Sequence, residues 1–422
     1  MRAFKDSGIE WLGEIPQDWN VVKGFFLFVN KKELNSNFQC KTRLALTLNG
    51  VIEKDIGQNF GLNPLDFRTY QIFNYDDLVF KLIDLDNINT SRVGYVYKKG
   101  IMSSAYIRLI PKEKSCSKYF YYFYYSLYVK QIFNNIGTGV RSTLNADELL
   151  SIKIPLPPLE EQKRIADFLD SKCTQIDNFC EKKQKLITLL NEKKQSLINE
   201  CVTKGLDTNV TFKDSGVEYL GEIPQHWKLV RLGLILKTSS GTTPDSGNDK
   251  YYKGGQIVWI NSGDLNDGFL KDSKRKITQD ALDDYSVLKI FDKDSLIIAM
   301  YGATIGKTAI LKVNACVNQA CCVLEKSAWY NTFYLFYLFN RYKKELISMG
   351  SGGGQPNISQ DIIKNLKIPL PPLKEQEQIA QFLDSEISKI DKIIEKTKKQ
   401  IKLIKEYKNT LINQAICGRI NL

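Results

Sequence analysis

The chain has 422 residues, 43% hydrophobic and 11% aromatic, with 59 Lys plus Arg against 47 Asp plus Glu for a net charge of +12. That length exceeds one ordinary core and predicts two or more domains, and no apolar run approaches the roughly 18 residues that read as a membrane helix, which excludes a helical membrane protein. The basic balance favours a polyanionic partner through counterion release without identifying one.

The opening, MRAFKDSGIEWLGEIP, has acidic residues and no apolar h-region, so it does not read as a secretory signal and a cytoplasmic protein is expected. Nine cysteines (Cys40, Cys116, Cys173, Cys180, Cys201, Cys316, Cys321, Cys322, Cys417) form no CxxC pair, and His226 is the single histidine. That pattern argues against a zinc site and predicts reduced thiols used for packing.

From the N-terminus, Phe4 to Trp19 reads FKDSGIEWLGEIPQDW, and β-type runs follow at Asp77–Leu82, Val93–Tyr97 and Ala105–Ile110, bounded by Gly, Asn, Asp and Pro. Tyr119–Tyr125 is aromatic all round and predicts core packing rather than base stacking. A glycine-containing loop, Gly137–Asn145, leads to Ile152–Asp170, IKIPLPPLEEQKRIADFLD. After Pro157-Pro158 no Pro or Gly occurs until about Val202, which predicts a helix of about 43 residues and roughly 65 Å.

The series then repeats. Phe212 to Trp227, FKDSGVEYLGEIPQHW, matches the first block at 13 of 16 positions, and Leu366–Asp384, LKIPLPPLKEQEQIAQFLD, matches the second at 14 of 19. The offsets are 208 and 214, so the halves differ by about six inserted residues between blocks. Between the blocks, roughly 20–150 and 228–364, little similarity is visible, although the second stretch also holds β-type runs at Gln256–Ile260, Ser295–Met300 and Ala320–Leu324. The repeat divides the chain into an opening segment (1–20), an α+β variable domain (21–152), a long-helix segment (153–206), a repeated opening segment (207–228), a second α+β variable domain (229–366) and a second long-helix segment (367–422).

Inward positions in both helices step by four and three in the same register. They are Ile165, Leu169, Cys173, Ile176, Cys180, Lys183, Ile187, Leu190, Lys194, Leu197 and Cys201, and, 214 later, Ile379, Leu383, Ile387, Ile390, Ile394, Thr397, Ile401, Ile404, Lys408, Leu411 and Ala415. Spacing near 3.5 is a coiled-coil seam, with Lys, Thr and Ala weakening and registering it. The plain alternative, in which each helix packs on its own domain, leaves part of each stripe uncovered. An internal pseudo-twofold would make the pair antiparallel.

These residues resemble the specificity subunit of type I restriction-modification systems: a repeated SGxx(W/Y)LGxIPxxW block, a variable domain, then IPLPPLxEQxxIAxFLD opening a long helix. The resemblance covers essentially the whole chain. It implies an α+β fold with two target recognition domains separated by two long helices forming an antiparallel coiled coil, with an internal pseudo-twofold repeat. It further implies a non-catalytic chain that binds double-stranded DNA at a bipartite asymmetric site whose halves are separated by an unread spacer. Two modification (methyltransferase) subunits would bring S-adenosylmethionine and methylate adenine at N6, and, in systems that cut, two restriction (motor-nuclease) subunits would use ATP and Mg2+. The residues agree on geometry, since unlike domains docking on one face of a duplex read half-sites about one helical turn apart.

Gly302–Thr308 (GATIGKT) is one residue short of a phosphate loop, which needs four residues between its glycines. The resemblance places a GxTIGK-like segment in one type of recognition domain, which makes Tyr301 and Lys307 candidate DNA contacts. The amides of Asn318 and Gln319 suit adenine, and a buried turn amide is the plain alternative. Loops Gly137–Asn145 and Gly350–Asn357 hold matching places before the second block, so Arg141, Asn145, Gln355 and Asn357 are candidate base or phosphate contacts, unless the loops are simple connectors. Lys81 and Arg92 are further candidates, against the common case of solvated surface cations. Trp11, Trp19, Tyr219 and Trp227 are candidate anchors for partner docking or, equally, scaffold packing. No NPPY-type or DPPY-type methyltransferase tetrapeptide, methyl-donor loop or complete phosphate loop is found, so chemistry is expected in trans and no cofactor in this chain. Three rival readings remain: a DNA-cleaving or NTP-using enzyme acting alone, a coiled-coil adaptor without sequence-specific binding, and the same role in a related methylation-only or single-complex restriction system.

Overall fold

A computed structural model describes residues 2–54, 67–83, 85, 90–112, 115–136, 143–350 and 357–422. The chain forms two compact units, Met1–Gln184 with Lys398–Leu422, and Lys185–Thr397. Each unit contains an opening block, a variable domain and portions of both long helices.

In the first unit the opening block is a hairpin, Phe4–Asp6 with Glu14–Pro16, paired from Phe4↔Pro16 to Asp6↔Glu14. In the second unit Phe212–Asp214 pairs with Glu222–Pro224 in the same register. The repeated SG and LG glycines have positive φ at Gly8 (64°), Gly13 (74°), Gly216 (65°) and Gly221 (64°), a conformation that costs a residue with a Cβ. Asp6 and Asp214 each accept the glycine N–H two residues on, at 2.9 Å.

After the hairpin, strand Asn20–Lys23 pairs antiparallel with Lys153–Leu156, and Lys228–Arg231 with Lys367–Leu370. The two ends of each variable domain are thereby joined in a two-stranded clasp. Residues 153–156 are thus a strand, and the first long helix begins at Leu159.

The buried indoles of Trp19 and Trp227 donate to Glu161 Oε2 and Glu375 Oε1, both at 3.0 Å. The next residue, Gln162 or Gln376, is buried. Gln162 donates to Pro157 O (2.9 Å) and accepts from Cys116 N–H (3.3 Å); Gln376 donates to Pro371 O (2.9 Å) and accepts from Asn331 N–H (2.8 Å). Cys116 and Asn331 are the N-caps of helices Ser117–Val129 and Thr332–Arg341. The PPLxEQ motif therefore ties three chain segments together with two side chains.

The aromatic run lies in helix Ser117–Val129, with Tyr119, Phe120, Tyr122, Phe123 and Tyr124 buried, as its all-round pattern predicts. Tyr119 donates to Pro155 O and, in the second unit, Tyr334 to Pro369 O, both at 2.9 Å.

All six β-type runs contain strands, and the two variable domains share a strand order that their sequences conceal. In the first, the order is Phe28–Asn30, Ile107–Pro111, Leu78–Phe80, Val93–Tyr95; in the second it is Thr238–Ser239, Cys321–Leu324, Leu296–Ala299, Thr308–Leu311, with Gly268–Leu270 added at the edge. A second sheet in each contains a parallel pair, Arg43–Thr47 with Gly100–Met102 and Ile257–Ile260 with Cys316–Val317.

The long helices run over Leu159–Lys204 and Leu373–Ile416, and every seam position predicted above is buried or half-buried. In the first unit Lys408 bonds Asp177 at 2.7 Å and Arg164 bonds Leu422 O at 3.1 Å, so the segments run antiparallel. In the second unit Lys194 bonds Asp391 at 2.8 Å, and Ile198 shares a core with Ile387. Adding 214 turns Asp177 into Asp391 and Lys194 into Lys408, so one ion pair is built twice. Lys194 and Lys408 thus reach acids on the facing helix, although such partly exposed pairs contribute only about 0–1 kcal/mol each. Thr397, also in the seam, returns its hydroxyl to Ile393 O at 2.7 Å. Both helices stop at left-handed glycines that pack against the opening-block tryptophans, Gly205 (φ 79°) on Trp227 and Gly418 (φ 67°) on Trp19. No helix among the described residues is long and apolar enough to cross a membrane.

Replacing Trp19 or Trp227 by Ala is expected to lower stability by about 3–5 kcal/mol, measured as a shift in the urea midpoint at constant slope. A loss below about 1 kcal/mol would show that the indole does not hold the clasp.

Candidate nucleic-acid interface

The end of the central strand organises one corner of each variable domain. In the second unit Ala299 N–H donates to Lys307 O (2.8 Å), Met300 N–H to Ala320 O (2.8 Å) and Ile358 N–H to Met300 O (2.9 Å). These bonds bring together the loops that carry Tyr301, Lys307, Gln319 and Asn357. In the first unit Lys81 N–H donates to Arg92 O and Leu144 N–H to Leu82 O, both at 3.0 Å. Lys81 thus corresponds to Ala299, Arg92 to Lys307, and Asn145 to Ser359, each of the last two the N-cap of the following short helix.

The candidate side chains differ in what they have left to offer. Arg92 is 2% exposed and directs its guanidinium at Ile83 O (3.3 Å) and Lys81 O (3.5 Å), bracing the corner from within. Lys81 donates to Thr90 Oγ1 at 3.2 Å. Asn145 makes a capping box with Glu148, accepting Glu148 N–H at 2.9 Å while its own N–H reaches Glu148 Oε2 at 2.8 Å. Lys307 is half-buried, whereas Tyr301, Gln319 and Asn357 are exposed. Asn318 donates to Asn261 Oδ1 (3.3 Å) and accepts Ala320 N–H (3.1 Å). Arg141 and Gln355 lie outside the described residues.

Gly302–Thr308 is a hairpin connection rather than a strand-to-helix loop. A short turn at Gly302–Thr304 joins the antiparallel strands Leu296–Ala299 and Thr308–Leu311, with positive φ at Gly302 (72°) and Gly306 (73°). No helix N-terminus follows to cradle a phosphate, which is the context that motif requires.

Among the four aromatic anchors, Trp19 and Trp227 are spent on their own units as described. Half-buried Trp11 lies 5.8 Å from Phe123, and Tyr219 donates to Lys367 O at 3.0 Å with its ring 5.7 Å from Tyr342. All nine cysteines are free and seven are buried. Burial pushes the Cys201 and Cys316 thiols up to about 11 and Cys322 up to about 12, so these remain protonated packing groups at neutral pH.

The corner also holds residues that sequence motifs did not single out. Thr243 donates to Gln319 Oε1 at 2.6 Å from a Gly/Thr/Pro-rich turn, a signal of a loop but not of this contact. The parallel pairs place the Ser103–Tyr106 loop of the first unit where Asn318–Ala320 lies in the second.

Each unit further contains a groove where the variable domain meets its helix segments. One, of about 750 Å³, is lined by Tyr122, Asp170, Cys173, Asp177 and Lys408; the other, of about 720 Å³, by the corresponding Tyr337, Asp384, Ile387, Asp391 and Lys194. The helix-side walls repeat, whereas on the domain side Tyr122 and Tyr337 correspond but Leu48–Gly50 in one groove is replaced by Asp267–Phe269 in the other.

A family model described as the type I restriction modification DNA specificity domain matches residues 63–192 and 224–403. The chain belongs to that specificity family. It is 30% identical to the type I restriction enzyme MjaVIII specificity subunit of Methanocaldococcus jannaschii, across all of this chain and 98% of the relative. Among solved structures, a chain from work on complex assembly and conformational transition of the type I R-M system aligns with a TM-score of 0.74 at 17% identity, covering 96% of this chain and 99% of that one. The HsdS subunit from Thermoanaerobacter tengcongensis aligns at 0.54 and 16% identity, covering 96% and 98%. These two likenesses bear on fold, and the fold they support is the one expected, two α+β domains with two long helices. As a member of a family of specificity subunits, the chain is the non-catalytic component.

Arg92→Ala is expected to lower the stability of the first unit by about 1.5–3 kcal/mol, because a charged donor to two carbonyls is lost. Lys307→Ala is expected to change stability by less than about 0.5 kcal/mol while weakening DNA binding on all sequences and reducing the salt slope by about one. Thermal melts and salt-dependent binding check both, and the reverse pattern would interchange the roles of the two cations.

Proposed function

We propose that this chain reads an asymmetric bipartite site on double-stranded DNA in the cytoplasm, one half with each variable domain, and directs partner adenine-N6 methyltransferase subunits to it. The observation that carries this reading is a frame built twice to the same register around two domains of one strand order but different surface. A repeated holder with unlike contents suits two related tasks on two different targets. The equivalent grooves, with repeated Asp and Lys on the helix side, support two matching platforms and therefore two modification subunits, joined by two restriction subunits where the system cuts. S-adenosylmethionine, ATP and Mg2+ belong to those partners, and this chain contributes recognition and positioning.

The test is single-molecule sequencing of adenine methylation in the host genome with the gene intact and deleted. Deletion is expected to remove one bipartite N6-methyladenine motif. A methylome that is unchanged while the chain and its methyltransferase partner are both expressed would contradict the reading.

A further inference from the structure

We propose that Gln319 is the base-reading residue of the second variable domain, that Thr243 sets its amide in the reading orientation, and that the base read is an adenine. The inference rests on the DNA-reading role above and adds a residue and a base to it.

The neighbouring amides Asn318 and Gln319 are not equivalent. Asn318 uses both ends internally, on Asn261 Oδ1 and Ala320 N–H, and its backbone N–H is bonded to Ile260 O at 2.9 Å. Its work is to shape the turn. Gln319 is exposed, and among the described residues its side chain makes one hydrogen bond, the 2.6 Å bond from the Thr243 hydroxyl to Oε1. That bond leaves one lone pair of Oε1 and both N–H groups of Nε2 available. An acceptor beside a donor is the complement of the adenine N6–H and N7 edge in the major groove.

Thr243 is itself held on several sides. A Cβ at Gly241 would run into the Val317 carbonyl, so only glycine lets the turn lie this close to the strand that leads into Asn318. The buried Trp259 indole donates to Thr242 O at 3.2 Å, Tyr252 donates to Pro244 O at 2.6 Å, and Asp245 N–H reaches the Tyr285 hydroxyl at 3.0 Å. A free glutamine loses rotamer freedom when it engages a base; here much of that ordering is present before DNA arrives. Position 319 is also joined to the rest of the corner through Met300 N–H to Ala320 O.

Among the described residues the first unit shows no counterpart. Its corresponding loop presents Ser103 and Ser104, and the nearby Gln71 is buried with Nε2 donating to Ser103 O (3.2 Å) and Tyr106 O (2.5 Å). The amide reading is accordingly assigned to the half-site of the second domain.

The experiment uses the full chain assembled with its modification subunit. The methylated motif of the wild type defines both half-sites, and competition binding then measures duplexes carrying each single base-pair replacement. Wild type is expected to disfavour replacement of one adenine in one half-site by roughly 5- to 150-fold, the span of a bidentate contact. Gln319→Ala should abolish that preference and leave every position of the other half-site unchanged. Thr243→Val, with unchanged melting, should reduce the preference at the same position only, a readout that a purely structural threonine would not give. Full discrimination retained by Gln319→Ala, or a uniform loss across both half-sites, would overturn the proposal. A wild-type complex with no preferred site at all would instead fail the underlying reading.

Discussion

The structure depends on a pair of indole-to-carboxylate hydrogen bonds, Trp19 to Glu161 and Trp227 to Glu375, each made at the first turn of a long helix. A buried indole N–H needs an acceptor, and the acceptor's position fixes where the helix begins. Around each bond sit the strand clasp, the buried glutamine and the glycine at the end of the other helix. In each unit the beginning of one helix, the end of the other and both ends of a variable domain converge on one tryptophan. That convergence lets the domain's loops diverge without moving its attachment.

Burial and hydrogen bonding separate the frame from the reading surface. In the frame the motif side chains Trp19, Trp227, Gln162 and Gln376 are buried and internally satisfied, so substitutions there act on stability. At the corner of each variable domain the backbone is tied by strand-end hydrogen bonds, while side chains such as Tyr301 and Gln319 face outward. Rigid backbone with outward polar side chains is the arrangement that recognition loops need. The two cations at equivalent places show how far this can diverge, since Arg92 is turned inward to brace the corner and Lys307 is only half-buried.

Much of the fold was legible in the sequence because it is written in periodicity and repetition. The helix seams, the six strands and the burial of the aromatic run all follow from spacing and residue type. The shared strand order of the variable domains was not legible, because a sheet tolerates almost any apolar residues that alternate correctly, and none needs to match. The candidate site was only partly readable. Asn145 carried its own warning, since Asn followed three residues later by Glu is a capping box before it is a base contact. The inward turn of Arg92 and the Thr243–Gln319 contact join residues 9 to 76 positions apart, and such pairings depend on sheet register that no local motif encodes.

The central claim is that the two frames are equivalent holders whose contents alone decide what is read. Grafting residues 232–365 in place of 24–151 tests it most directly, with the methylated motif of the grafted chain as the readout. The account expects a folded chain that directs methylation to a site whose two halves are both the second domain's half-site. A grafted chain that fails to fold beside a stable parent, or one that still reads the original first half-site, would contradict it.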